Sequence, residues 1–176
     1  MNLIKNDSEL VDVVDKNRKV IRQKLKTLCH QDGDLHCTII GLLKNSKGKF
    51  TLVKQTETRQ DADMFVSPIG GHIRSGEPDV EALKREAKEE TGLEDFKYGF
   101  IGQAIYYREV INRKENHYFI MYEVYTDKQP ILNHEAVGFR TFTPDELKQT
   151  LKYSPNLFGR AFHFVIDNFY PELRKQ

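Results

Sequence analysis

The sequence predicts an α+β fold, a mixed or mostly antiparallel β-sheet packed by a few helices and opened by an N-terminal β-hairpin. Three observations lead there. Candidate strands outnumber candidate helices, their order is mixed where a parallel α/β sheet would alternate strand and helix, and no repeat or low-complexity segment breaks the pattern. The 176 residues, 39% hydrophobic and 30% charged, suit one domain spanning 1–176, large enough to bury a core without disulfide or metal support.

The elements follow in order. Residues 1–10 are mostly polar and read as a loose terminus. Residues 11–15 and 20–25 are β-branched runs around Lys16-Asn17-Arg18-Lys19, the pattern of a hairpin. Residues 36–43 and 50–55 flank the turn KNSKGK, and the first of these strands is apolar enough to be buried on both faces. Residues 64–69 form a short strand entering a turn at Gly70-Gly71. From 79 to 91, Val80, Leu83 and Ala87 recur at helical spacing; Pro78 fits the first helical position and Gly92 the stop. Residues 98–110 and 117–125 read as aromatic and β-branched strands around Asn112-Arg113-Lys114, and 137–142 as another. Two helices close the chain. One starts after the N-cap Thr143 with Pro144 and runs to about Lys152; the other covers 157–170 and is ended by Pro171.

Charge and cysteine content narrow the function. With 27 Lys plus Arg against 26 Asp plus Glu, the net charge of +1 lacks the basic excess that binding a nucleic-acid polymer requires. The longest apolar stretch, 38–43, is far short of the ~20 residues that cross a bilayer. The start MNLIKNDSEL has no signal-peptide apolar region, so the expectation is a soluble cytoplasmic protein without a membrane partner. Cys29 and Cys37 form neither a CxxC pair nor a disulfide framework; they suit a reducing compartment and read as buried apolar fillers.

The helix at 79–91 carries the chemical signal. At 3.6 residues per turn, Glu86 and Glu90 fall roughly 40° apart, with Glu89 about 60° from Glu86 on the other side. Like charges spaced four apart cost a helix ~0.2–0.5 kcal/mol per pair, so this face asks for a positive partner. A hard divalent cation such as Mg²⁺ or Mn²⁺ answers that need with oxygen ligands. The alternative is a solvated face, since Lys84, Arg85 and Lys88 are interleaved with the acids. The preceding loop, Gly70 to Glu77, contains glycines that let the backbone bend and bring a carbonyl towards the carboxylates.

Read from Gly71, the segment GHIRSGEPDVEALKREAKEETGL fits G-x5-E-x7-R-E-U-x-E-E-x-G-U, with U aliphatic or small, at every specified position. On residues 71–93 the chain therefore resembles the Nudix hydrolases. The resemblance implies a mixed sheet sandwiched by helices and hydrolysis of a diphosphate bond in a nucleoside diphosphate linked to another moiety X, or in a similar small organic diphosphate. It implies Mg²⁺ or Mn²⁺ as cofactor, held by Glu86, Glu90, Glu89 and the Gly71 carbonyl oxygen. Glu77 and Arg85 would pair to hold loop against helix. The general base could be Glu89 or Glu135, and Glu135 is as readily a plain surface acid. Candidate walls around X are Phe65, Tyr106, Tyr107 and Tyr118, and Arg59 and Gln60 could reach a phosphate; each is also readable as core or solvated surface. The expected partner is a small-molecule diphosphate, and the resemblance is compatible with a homodimer.

The N-terminal half also resembles isopentenyl diphosphate isomerases, a relative of the same fold, in CHQDGDLHC and in His72 after the glycine pair. That resemblance makes His30, His36 and His72 candidates for a second metal site, with Glu115 in the position of a ligand; satisfied surface or core histidines are the other reading. The isomerase's two protonation partners are missing, because Gly70 and His117 stand in their places. Isomerisation is thus a runner-up, as is a non-catalytic diphosphate-binding module.

Overall fold

The computed structural model describes residues 8–110 and 113–175. Nine strands form one curled sheet, in chain order β1 (Leu10–Val14), β2 (Val20–Leu25), β3 (His36–Lys44), β4 (Phe50–Gln55), β5 (Phe65–Val66), β6 (Ile69–His72), β7 (Lys97–Val110), β8 (Arg113–Tyr125) and β9 (Ala136–Phe142). Four helices accompany them: α1 (Lys26–Asp32), α2 (Asp79–Thr91), α3 (Pro144–Tyr153) and α4 (Arg160–Phe169).

β3 is the organising strand. It pairs antiparallel with β6 from Thr38↔His72 to Gly41↔Ile69, parallel with β8 from His36↔His117 to Lys44↔Tyr125, and at its end antiparallel with β4. Burial on both faces explains its near-continuous apolar run. Because side chains alternate along a strand, Ile40 and Leu42 join Phe119 and Met121 beneath α3 and α4, whereas Ile39 and Leu43 join Ile120 and Val124 beneath α2. The sheet is thus covered by α2 on one face and by α3 with α4 on the other, the mixed sheet sandwiched by helices that the resemblance implied.

Helix ends follow local chemistry. α3 begins in a capping box: Thr143 Oγ1 accepts from the Glu146 backbone N–H at 3.1 Å, and a Glu146 carboxylate oxygen accepts from the Thr143 N–H at 2.7 Å. α2 stops at Gly92, whose φ of 67° is open to glycine at little cost. Pro78 is the N-cap of α2 and not its first helical residue.

Several expectations are corrected. α1 is an additional helix. The β-branched run of β2 leads straight into it, and its one local signal is the stop at Gly33, φ 78°, whose N–H bonds to the Cys29 carbonyl at 2.8 Å. Gly70 and Gly71 lie in β6, opposite Ile40 and Ile39, so the single strand at 64–69 becomes two strands broken at Ser67-Pro68, and the glycine pair makes no turn. Its absent side chains serve close approach, as the site shows. The helix at 157–170 starts later, at Arg160, after a 3-10 turn Pro155–Leu157 and Phe158, which bridges to Phe65. β8 begins at Arg113, so Arg113 and Lys114 of the expected turn are strand residues, while Asn112 lies outside the described residues. Residues 1–7 of the expected loose terminus also lie outside them; Glu9 is tied to Lys26 at 2.5 Å and Arg74 at 3.0 Å, and Leu10 opens β1. Among the described residues, no helix is long and apolar enough to cross a membrane.

Gly41 tests how closely β3, β6 and α2 are packed. A Cβ there would stand 2.9 Å from Ile69 Cβ and 3.2 Å from Leu83 Cδ1, both rigidly placed core atoms. Gly41→Ala is expected to destabilise the fold by roughly 1–3 kcal/mol, read as a lowered urea midpoint at unchanged slope.

Candidate active site

α2 lies across β6 with its glutamates sorted by face. Glu86 is 8% exposed, Glu90 is half-buried, and Glu89 points to solvent. A Cβ on Gly71 would fall on the Glu86 carboxyl group, far inside contact distance, so only glycine lets this carboxylate rest on the strand backbone. One turn on, a carboxylate oxygen of Glu90 accepts the Gly70 N–H at 2.7 Å. Helix and strand thus meet through two carboxylates set directly on the Gly70-Gly71 backbone.

Burial raises the pKa of both groups. For Glu86 the neighbouring Arg85 opposes that rise; for Glu90 the Gly70 amide opposes it, while Glu86 and Glu135 add to it. Arg85 is the fixed cation of the site. Its Nε and Nη2 each donate to Glu77 at 2.8 Å, Nη2 also donates to the His72 carbonyl at 3.0 Å, and Nη1 donates to Glu86 at 2.5 Å. Glu77 raises the Arg85 pKa further, so the guanidinium stays charged and clamps loop, strand and helix together.

A cavity of about 240 Å³ opens beside this helix. Glu90, Glu135, Arg59, Gln60 and Tyr106 line it together with Gly70 and Gly71. Glu135 and Arg59 pair with each other at 3.2 Å across the rim. Glu86 and Glu89 stand outside the lining. So do three of the expected contacts to X. Phe65 packs its ring against Phe142 and Phe158 in the core, Tyr118 lies in the cluster under α2, and Tyr107 is 57% exposed.

The cavity also holds residues that the sequence reading missed. Arg108 and Asp61 form a buried ion pair at 3.1 Å in its wall. Tyr106 and Arg108 share one face of β7 by the strand period of two, which is the signal that could have found the arginine. Tyr106 OH and Thr38 Oγ1 are buried in the wall without a hydrogen-bond partner.

A second cluster adjoins the first. The rings of His30, His36, His72 and His117 converge, with a ligand atom from each lying within 4.8 Å of all the others. The first three are the histidines singled out in the sequence; His117 is added by the β3–β8 register, which sets it opposite His36. Burial pushes the His30 pKa down to about 3 and lowers those of the other three, so all four rings are neutral near pH 7. Glu115, also buried, pairs with Arg113 at 3.2 Å.

Comparison with known proteins agrees with this geometry. The NUDIX domain model matches residues 34–160. An uncharacterised Nudix hydrolase of Clostridium acetobutylicum is 28% identical over 159 residues, covering 82% of this chain and 75% of that protein. A Nudix hydrolase of Deinococcus radiodurans is 25% identical over 141 residues, covering 79% of this chain and 81% of that one. Among solved structures, a Deinococcus radiodurans protein superposes with a TM-score of 0.72 at 21% identity, covering 92% of this chain and 99% of its own. With the carboxylate helix laid on the glycine strand and most of the chain matched by the family model, the chain belongs to the Nudix hydrolases.

Proposed function

We propose that the chain hydrolyses the diphosphate bond of a nucleoside diphosphate linked to another group X, or of a similarly small organic diphosphate, with Mg²⁺ or Mn²⁺ at Glu86, Glu89, Glu90 and the Gly71 carbonyl. The observation that carries this reading is the placement of Glu90. It belongs to the carboxylate helix, rests on the Gly70 amide, and at the same time forms part of the cavity wall. A diphosphate seated in the cavity would therefore lie against the same carboxylate face that asks for a cation.

The residues present fit such an ion. The donor set is all oxygen, as hard cations prefer, and Gly71 leaves the Glu86 carboxylate free to approach the backbone. When bound, a divalent ion there supplies neutralisation of the diphosphate and activation of the attacking water. The protein's own part is to orient and to accept a proton. Of the two candidate bases, Glu135 shares the cavity wall with Glu90, whereas Glu89 faces solvent, so Glu135 is the better placed to receive the water's proton. Arg59, paired with it on the rim, fixes the carboxylate and offers a charge to a phosphate oxygen.

X is read by the deeper wall. Tyr106 OH, Thr38 Oγ1 and the Arg108–Asp61 pair supply polar contacts, over an apolar floor that includes Ile40, Phe119 and Phe162. The volume, about 240 Å³, lies below the ~300–1,000 Å³ of ordinary ligand pockets, which favours a compact X. Allylic isomerisation is disfavoured because Gly70 and His117 stand where its protonating groups would be. A binding module without turnover is disfavoured because Glu86, Glu89 and Glu90 are all present.

A panel of nucleoside diphosphate derivatives, dinucleoside polyphosphates, nucleoside triphosphates and isoprenyl diphosphates, tested with Mg²⁺ or Mn²⁺ and read by product mass, is expected to give hydrolysis that a chelator abolishes. On the best substrate, Glu90→Gln should lower kcat by more than about 100-fold, since a ligand to the ion accounts for several kcal/mol of transition-state charge. Undiminished turnover in that variant at saturating Mg²⁺ would remove the assignment. Glu135→Gln should lower kcat by roughly 100-fold or more and flatten the acidic limb of the pH–rate profile; a profile that keeps this limb would return the role to Glu89.

A further inference from the structure

We infer that Asp12, on the N-terminal hairpin, is a positioning residue for the carboxylate site: it fixes the loop before α2, and through Glu77 and Arg85 that loop sets where the Glu86 carboxylate stands. The inference rests on the proposed placement of the cation at Glu86. The hairpin, β1 with β2, precedes residues 34–160, the segment matched by the family model. Residues 74–76 are tied to it in succession. Asp12 Oδ1 accepts the Ser75 hydroxyl at 2.6 Å, and Oδ2 accepts the Gly76 N–H at 3.0 Å. The Ser75 N–H donates to the Leu10 carbonyl at 2.8 Å, and Arg74 Nε donates to Glu9 at 3.0 Å.

The strand period explains why Asp12 can do this. Val11 and Val13 pack with Cys29, so Asp12 turns to the other face, the one on which Val14 joins Ile73 and Leu83 in the cluster under α2. A carboxylate there brings two acceptor oxygens to two donors of one loop, an O–H and an N–H. The hairpin turn adds another tie. Arg18 pairs with Asp79, the first residue of α2, from a backbone φ of 64°, in the left-handed region that a residue other than glycine enters only at a cost. Hairpin, loop and helix start are therefore held as one piece.

What the loop carries gives the brace its consequence. Glu77 follows Gly76 directly. One of its oxygens accepts the Arg74 N–H at 2.9 Å and Arg85 Nη2 at 2.8 Å, and the other accepts Arg85 Nε at 2.8 Å. Arg85 Nη1 in turn donates to Glu86 at 2.5 Å, with Glu89 3.9 Å away. A released loop would carry Glu77 off. The guanidinium would then turn fully to Glu86 and Glu89 and compete with a cation for their oxygens. Asp12 stands outside the cavity wall, so its effect falls on the cation and not on the pocket that takes X.

Asp12→Asn keeps the shape of the side chain, removes one acceptor and sets an amide NH₂ against a donor. In the metal-free full chain it is expected to speed hydrogen exchange at the Arg74 and Gly76 amides while leaving those of β3 unchanged. Mn²⁺, titrated onto the same variant and followed by the electron-paramagnetic-resonance signal of the free ion, should bind roughly 10-fold more weakly, the lower end of the effect of an outer partner of a ligand. Turnover at limiting Mg²⁺ should fall by a similar factor and recover at saturating Mg²⁺. Arg22→Gln breaks the hairpin's pair with Asp34, 2.8 Å, away from the loop, and should leave Mn²⁺ affinity unchanged, which separates positioning from a general loosening of the hairpin. Unchanged exchange at Arg74 and Gly76, unchanged Mn²⁺ affinity in Asp12→Asn, or an equal loss in Arg22→Gln would each overturn the brace. Failure of the unaltered chain to bind Mn²⁺, or binding that survives Glu86→Gln, would instead remove the proposed cation site, and the exchange measurement alone would then decide the brace.

Discussion

Two carboxylates set on a strand backbone constrain everything around them. Burying an ionised carboxylate without a partner is costly, and the pKa values of Glu86 and Glu90 rise in consequence. Arg85 meets part of that cost at Glu86. It cannot meet it at Glu90, whose protein partner is the Gly70 N–H. The structure therefore pairs one acid with a guanidinium and leaves the next, at the cavity wall, with a backbone amide, which is where the proposed cation would act. A polar core residue at either position would pack as well and would lack this property.

Two kinds of donor meet on the four residues of β6. Gly70 and Gly71 lie against the carboxylates of α2, and His72, the next residue, enters the cluster with His30, His36 and His117. Arg85 spans the join, since one of its nitrogens serves both Glu77 and the His72 carbonyl. A shift of β6 would disturb both sets together.

How much of this was legible in the sequence depends on how local each feature is. The carboxylate helix is fully local: spacing, stop residue and glycines lie within one segment, and the strands that carry β-branched runs were found with small changes of boundary. The role of Gly70 and Gly71 was misread, because a glycine pair suggests a turn while the need here is for close approach by a helix whose docking no local pattern encodes. α1 was missed because it is short and follows β2 with no turn residue between them. His117 and the Arg108–Asp61 pair come from strands and loops distant in sequence, joined only through the sheet. Phe65 and Tyr118 illustrate the converse, for an aromatic on a strand gives no sign of which face looks into the cavity.

Register is what converts those distant residues into one centre. With Thr38 opposite His72, Ile39 opposite Gly71 and Ile40 opposite Gly70, β3 holds β6 on one side; with His36 opposite His117 it holds β8 on the other. Strand side chains alternate with a period of two, so a slip by one residue would turn every side chain of β3 to the opposite face. Ile39 and Leu43 would then lose the cover of α2, and Ile40 and Leu42 that of α4. The same slip would carry His36 out of the histidine cluster. The apolar alternation of β3 that stabilises the core is therefore also what fixes the position of His36 and of the strand beneath the carboxylates.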